Sequence, residues 1–252
     1  MSRVTIFGDE SGTMPADDSD APFCIAALAT LGQLPTLKVR SGHRRDILRA
    51  CVAVGGVWQI VFVRASPGYG QELRAKTSKM STMARASRLV TGAHEYLPDR
   101  GYGARNMIWI RSMAVGMARV AVKAVSPEAI REVIVALDRK TIASRERALF
   151  TDRLRSQSRD ILGKSSNTYE VKVYWSDAAD ASLFQDGLFL AHHLSRLARE
   201  ALEAGSEEAL APELGVPPSD MFYDATSDVV APLPRWSIEN WKRRTGLPEP
   251  SE

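Results

Sequence analysis

Cysteine is scarce in this chain: Cys24 and Cys51 are the only two, and neither has the spacing of a metal or redox motif. A disulfide-dense scaffold and a cysteine-ligated zinc module are excluded, and both thiols are expected to be buried and reduced in a cytoplasmic protein. No apolar run approaches the ~20 residues that cross a bilayer, so no membrane span is expected. Residues 3–8 read directly as a strand, with no signal-peptide pattern ahead of them. Internal repeats and low-complexity tracts are also missing. What remains is an ordinary globular composition, 44 % hydrophobic and 25 % charged over 252 residues. That is enough chain to bury a full core, as one large domain or a domain with an appendage.

Period-two and continuous apolar runs predict five strands: residues 3–8, Phe23–Thr30, Trp58–Val63, Arg131–Leu137 and Tyr169–Trp175. The short acidic link between the first two suggests an antiparallel hairpin. Helical spacing predicts helices over His43–Val54, stopped by Gly55-Gly56, then over about 79–97, about 104–125, Ser144–Leu162 and Ser182–Ala204. Strands and helices interleave, so the fold class is α/β. Residues 1–204 form the expected domain, with a basic helical insertion over about 71–126. From Gly205 the composition shifts to seven prolines, and 205–252 reads as a Pro-rich C-terminal arm. That arm is expected to run extended and to end in a short helix near Arg235–Arg244. Its Trp236 and Trp241 suit docking onto the domain itself or, in a homodimer, onto a second copy; stacking on a single nucleic-acid strand is the other reading of the pair.

The net charge of +3 conceals an uneven distribution. Between Lys38 and Lys123, 16 Lys or Arg stand against four acids, Asp46, Glu72, Glu95 and Asp99. Both flanks are acidic. A basic middle segment, 38–123, is the expected contact for a polyanion, with nucleic acid the expected partner. Solvated basic faces on Ala- and Arg-rich helices are the plainer explanation of the same pattern.

Four acids stand where rigid elements begin or end. Asp9 and Glu10 follow the apolar strand Val4-Thr5-Ile6-Phe7 and precede Ser11-Gly12; Asp138 closes Val133–Leu137; Asp186 opens the last long helix. Asp186 falls on the stripe of Leu183, Leu190, Leu197 and Ala201, the face expected to pack on the sheet, where an acid is costly unless paired or metal-bound. The helix dipole favours it there as well, and Gly187 beside it permits close approach of another element. Carboxylates gathered from two strand ends and a helix start are the donor set for a pair of divalent cations that hydrolyses phosphodiesters. Asp9, Asp138 and Asp186 are therefore the candidate ligands of Mg2+ or Mn2+. Glu10 is a weaker fourth, since it alternates to the opposite side from Asp9 unless the glycine turn swings it inward. Asp177 is either a further ligand or a helix-approach cap. His193 shares a helix face with Asp186 and is either a proton donor or a core histidine, whereas His192 is expected to face elsewhere, exposed. Ser11, with no His or Asp partner in local pattern, reads as a turn hydroxyl.

The start Asp9-Glu10-Ser11-Gly12, the strand end Asp138-Arg139 and the helix Leu183-Phe184-Gln185-Asp186-Gly187-Leu188 resemble a bacterial and phage family, domain of unknown function 3800. The resemblance covers about residues 3–200. It implies a ribonuclease H-like fold, with three antiparallel strands beside two parallel ones, helices on both faces and carboxylates at Asp9, Asp138 and Asp186. The long helical insertion and the lack of a matching helix-borne Glu depart from such a fold. The reading is a metal-dependent nuclease; the alternative is a non-catalytic member of the fold that binds nucleic acid or a protein.

Overall fold

The computed structural model describes residues 2–12, 22–31, 42–64, 102–126, 129–138, 151, 155, 170–176 and 184–226. The helix expected over about 79–97, nearly all of the one over 144–162, Asp177 and the arm beyond 226 lie outside the described residues.

A mixed six-stranded sheet forms the centre, one strand more than expected. In chain order the elements are β1 (Ser2–Ser11), β2 (Phe23–Leu31), α1 (Arg44–Val54), β3 (Val57–Val63), α2 (Tyr102–Ala124), β4 (Ile130–Leu137), β5 (Glu170–Trp175), α3 (Gln185–Ala204), α4 (Glu207–Glu213), α5 (Pro218–Met221) and β6 (Phe222–Asp224). The strands lie in the order β5-β4-β1-β2-β3-β6. β1 pairs antiparallel with β2, and β2 antiparallel with β3. β4 runs parallel to β1, β5 parallel to β4, and β6 parallel to β3.

β2 is a continuous apolar run because both of its faces are covered, and every residue from Phe23 to Thr30 is buried. On one face Val4, Ile6, Ile25, Val61, Val133 and Val135 pack under α2 through Trp109, Met113, Met117 and Val120. On the other, Phe7, Leu28, Trp58, Ile60 and Ala136 pack under α1 and α3. Each such large apolar side chain contributes ~1.5–3 kcal/mol on burial. α2 comes so close to β1 that a Cβ on Gly8 would stand 2.7 Å from the Met113 sulfur. α1 and α3 both stop on left-handed glycines, Gly55 and Gly205, a conformation other residues adopt at a cost.

Residues 205–226 do not run as an extended arm. They form α4, α5 and the edge strand β6, which returns the chain to the sheet beside β3. Of the prolines that suggest an arm, Pro218 opens α5, a position that helices tolerate, whereas Pro212 lies inside the short α4 and removes one of its backbone donors. Buried Gln59 of β3 secures the return by donating from Nε2 to the Met221 carbonyl at 2.8 Å. Among the described residues no helix is long and apolar enough to cross a membrane.

Candidate functional site at the carboxyl edge of the sheet

Because β1, β4 and β5 are parallel, their carboxyl ends share one edge. Gly8 registers with Leu137, so Asp9 and Asp138 are the next residues on neighbouring strands. Alternation puts Phe7 and Ala136 under α3 and carries both acids toward that same face.

Asp9 is only 4 % exposed. A buried carboxylate is costly unless its oxygens are engaged, and both are. Oδ1 accepts the Glu10 backbone N–H at 2.8 Å, and Oδ2 lies 2.7 Å from Nδ1 of His192 on α3. The hydrogen bond to Asp9 is the main cause that raises the His192 pKa, and the charges of Asp9 and Asp138 add to it, while burial and Arg196 oppose. Both acids therefore act on this one imidazole. Asp138 is exposed and accepts a hydrogen bond from the Ser176 hydroxyl at 2.8 Å, which ties it to the end of β5. Further along the same edge, Ser11 accepts from Nε of Arg199 at 3.1 Å.

Glu10 does not join this group. β1 continues to Ser11, so the glycine turn comes too late to swing Glu10 inward. Its Oε2 accepts the Trp109 indole N–H at 2.9 Å on the α2 face, where Trp109 stacks on Trp175 with ring centres 6.4 Å apart.

Asp186 lies in the first turn of α3, half-buried, next to Gly187. A Cβ on Gly187 would overlap the Phe7 ring, so the helix backbone rests directly on that side chain. His192 comes six residues after Asp186, which turns it about 120° round the helix and carries it about 9 Å along the axis. The side of α3 that meets Asp9 is thus the His192 side, not the Asp186 side. His192 is exposed, as expected, yet it and not His193 is the histidine that reaches the acids. His193 packs edge-on against Phe189 and beside Gly42, where a Cβ would stand 2.8 Å from its ring. Burial, then the charges of His192 and Arg196, lower its pKa.

The sequence contains a signal for His192. Gly187, Ala191, Ser195, Ala198 and Ala201 are the buried small residues along α3, with Leu194 among them. Small side chains mark where a helix backbone approaches closest. Centring the buried face on them puts Asp186 on one flank and His192 on the other. The leucine stripe places that centre too close to Asp186.

No protein-family model matches this chain, and no curated protein matches it.

Proposed function

We propose that this protein is a divalent-metal-dependent nuclease with a ribonuclease H-like core, hydrolysing nucleic-acid phosphodiesters at the Asp9–Asp138 edge. The observation that carries the reading is that Asp9, near the carboxyl end of β1, and Asp138, just past β4, lie on neighbouring parallel strands on one side of the sheet, with His192 under the influence of both. The order β3-β2-β1-β4-β5, antiparallel among the first three and parallel beyond, supports the same architecture. Nearly half of the basic segment 38–123 lies outside the described residues, so the nucleic-acid partner rests largely on its composition.

Carboxylate oxygens are the donors that Mg2+ and Mn2+ select. Among the described residues no three His, Cys, Asp or Glu side chains form a group that could hold an ion. Mg2+ commonly takes one or two protein carboxylates and completes its shell with water and substrate phosphate, a mode that needs no third protein ligand beside Asp9 and Asp138. A bound cation would polarise the phosphate and offset the charge of the two acids. The chain's own part is positional and protonic. Glu10 N–H and Ser176 Oγ hold the two carboxylates in place. With Nδ1 engaged by Asp9, His192 exchanges its proton at Nε2, and the hydrogen bond to Asp9 favours the protonated imidazole as a proton source for a leaving oxygen.

Hydrolysis of a labelled oligonucleotide in Mn2+, absent in EDTA and reduced by orders of magnitude in Asp9→Asn and Asp138→Asn, tests the proposal. The engagement of both Asp9 oxygens within the chain favours the rival, a non-catalytic binding module in which Asp9–His192 is a structural pair. In that case Mn2+ leaves the melting temperature unchanged and no cleavage is seen.

A further inference from the structure

We propose that the outer face of α1 is a phosphate-backbone groove that leads a nucleic-acid strand toward the His192 edge, an inference that rests on the nuclease reading for its partner. An open groove of about 750 Å3 runs along α1 from Arg44 to Ala53, with Glu213 at the end of α4 across it. Glu213 is the one acid in its lining, and it is already ion-paired with Arg44. Arg45 and Arg49 are exposed and have no carboxylate partner among the described residues. Four positions apart on a helix, they stand one above the other, about 6 Å apart along the axis, on the scale of successive phosphates in an extended strand. Val52, 55 % exposed, continues the floor as an apolar contact for sugars.

Helix electrostatics does not explain these arginines. Arg44 and Arg45 occupy the first turn of α1, the positive end of its dipole, while the last turn has no basic residue. An anionic partner offsets that unfavourable placement. The groove also starts beside the site: Gly42, two residues before α1, packs on His193 and accepts a hydrogen bond from Arg196 at 3.2 Å. Arg196 and His193 both flank His192 on α3.

The test uses the full chain in EDTA, with fluorescence anisotropy of a fluorescein-labelled single-stranded DNA and, separately, of a labelled polyglutamate peptide. Wild type should bind the DNA, and Arg45→Glu with Arg49→Glu should weaken it roughly 10-fold or more and lower the log–log salt slope by about two. Arg45→Lys with Arg49→Lys should retain most of the affinity, and unchanged circular dichroism of all variants excludes misfolding. Equal affinity and slope for wild type and the Glu variant overturn the groove, as does tighter binding of the peptide than of the DNA. Cleavage in Mn2+ is scored separately. Cleavage with unaltered DNA affinity in the Glu variant sinks the groove alone, whereas groove-dependent binding without cleavage sinks the nuclease reading alone.

Discussion

Nδ1 of His192 stands 2.7 Å from Oδ2 of Asp9, joining the middle of α3 to the end of the central strand β1. The pair links a carboxylate that is nearly inaccessible to an imidazole whose side chain is 58 % exposed. One member is fixed by the core, and the other faces solvent where a substrate could reach it. A buried acid with an accessible proton carrier is a useful division of labour for hydrolysis.

The pair makes stability depend on pH in a defined direction. His192 has a raised folded pKa, so the folded state binds its proton more tightly than the unfolded chain does. The contribution is fully present below the unfolded value of ~6.5 and is lost as pH rises through the raised folded value. Solvent screening limits it to about 1 kcal/mol or less. Chemical denaturation in EDTA should show wild type more stable than His192→Gln near pH ~6, with the gap closing at alkaline pH. A gap that widens with pH contradicts the pairing.

The helix geometry also ranks the candidates for hydrolysis. If the edge is catalytic, His192→Ala and Asp138→Asn should reduce Mn2+-dependent cleavage far more than Asp186→Asn. Asp138 is exposed, so its substitution should change stability by no more than about 0.5 kcal/mol. Initial rates and melting curves on the same preparations separate the two effects. A loss in Asp186→Asn as large as that in Asp138→Asn returns Asp186 to the metal set.

Glu10 should behave as a structural residue. Glu10→Ala removes the acceptor of an indole that is 2 % exposed, at an expected cost of ~1–3 kcal/mol, while Glu10→Gln keeps an acceptor oxygen there. Urea unfolding should therefore order the proteins wild type, then Gln, then Ala. Cleavage by the Gln variant should stay near that of wild type, because Glu10 faces α2.

Gly187→Ala should cost about 1–3 kcal/mol through overpacking on Phe7, which is 2 % exposed and cannot move into solvent. Phe7→Leu makes room for the added methyl. The double variant should then be less unstable than the sum of the single changes, and a denaturant double-mutant cycle measures that coupling. Strict additivity would mean that the helix backbone does not rest on the ring.

Local pattern was enough for the α/β class and for most of the elements. Phe23–Thr30 is a strand because its unbroken apolar run needs cover on both faces, and Gly55 stops α1 because only its left-handed backbone caps the helix cheaply. β6 was not legible. Three residues carry no periodicity, and Phe222–Asp224 becomes a strand only because β3 offers an open edge and Gln59 holds Met221 against it. The prolines around it point to an arm when read locally, but Pro218 at a helix start costs nothing.

The chain by itself determined that Asp138 follows the end of a strand and that Asp9 lies near the carboxyl end of another, because hydrophobic runs broken by acids and glycine have few other structural solutions; that β1 runs on through Asp9 to Ser11 it did not show. Whether Glu10 turns inward depended on how far β1 stays paired, and the partnering of Ser11 with Cys24 on β2 settled that. The residue of α3 that meets Asp9 was likewise a tertiary decision. Sequence periodicity defines the period of a helix, whereas its phase against the sheet depends on where the backbone can come closest. Gly187 rests on Phe7, and Asp9, two residues further along β1, then meets His192, five residues further along α3, so the position of the helix along its axis as well as its phase decides the partner.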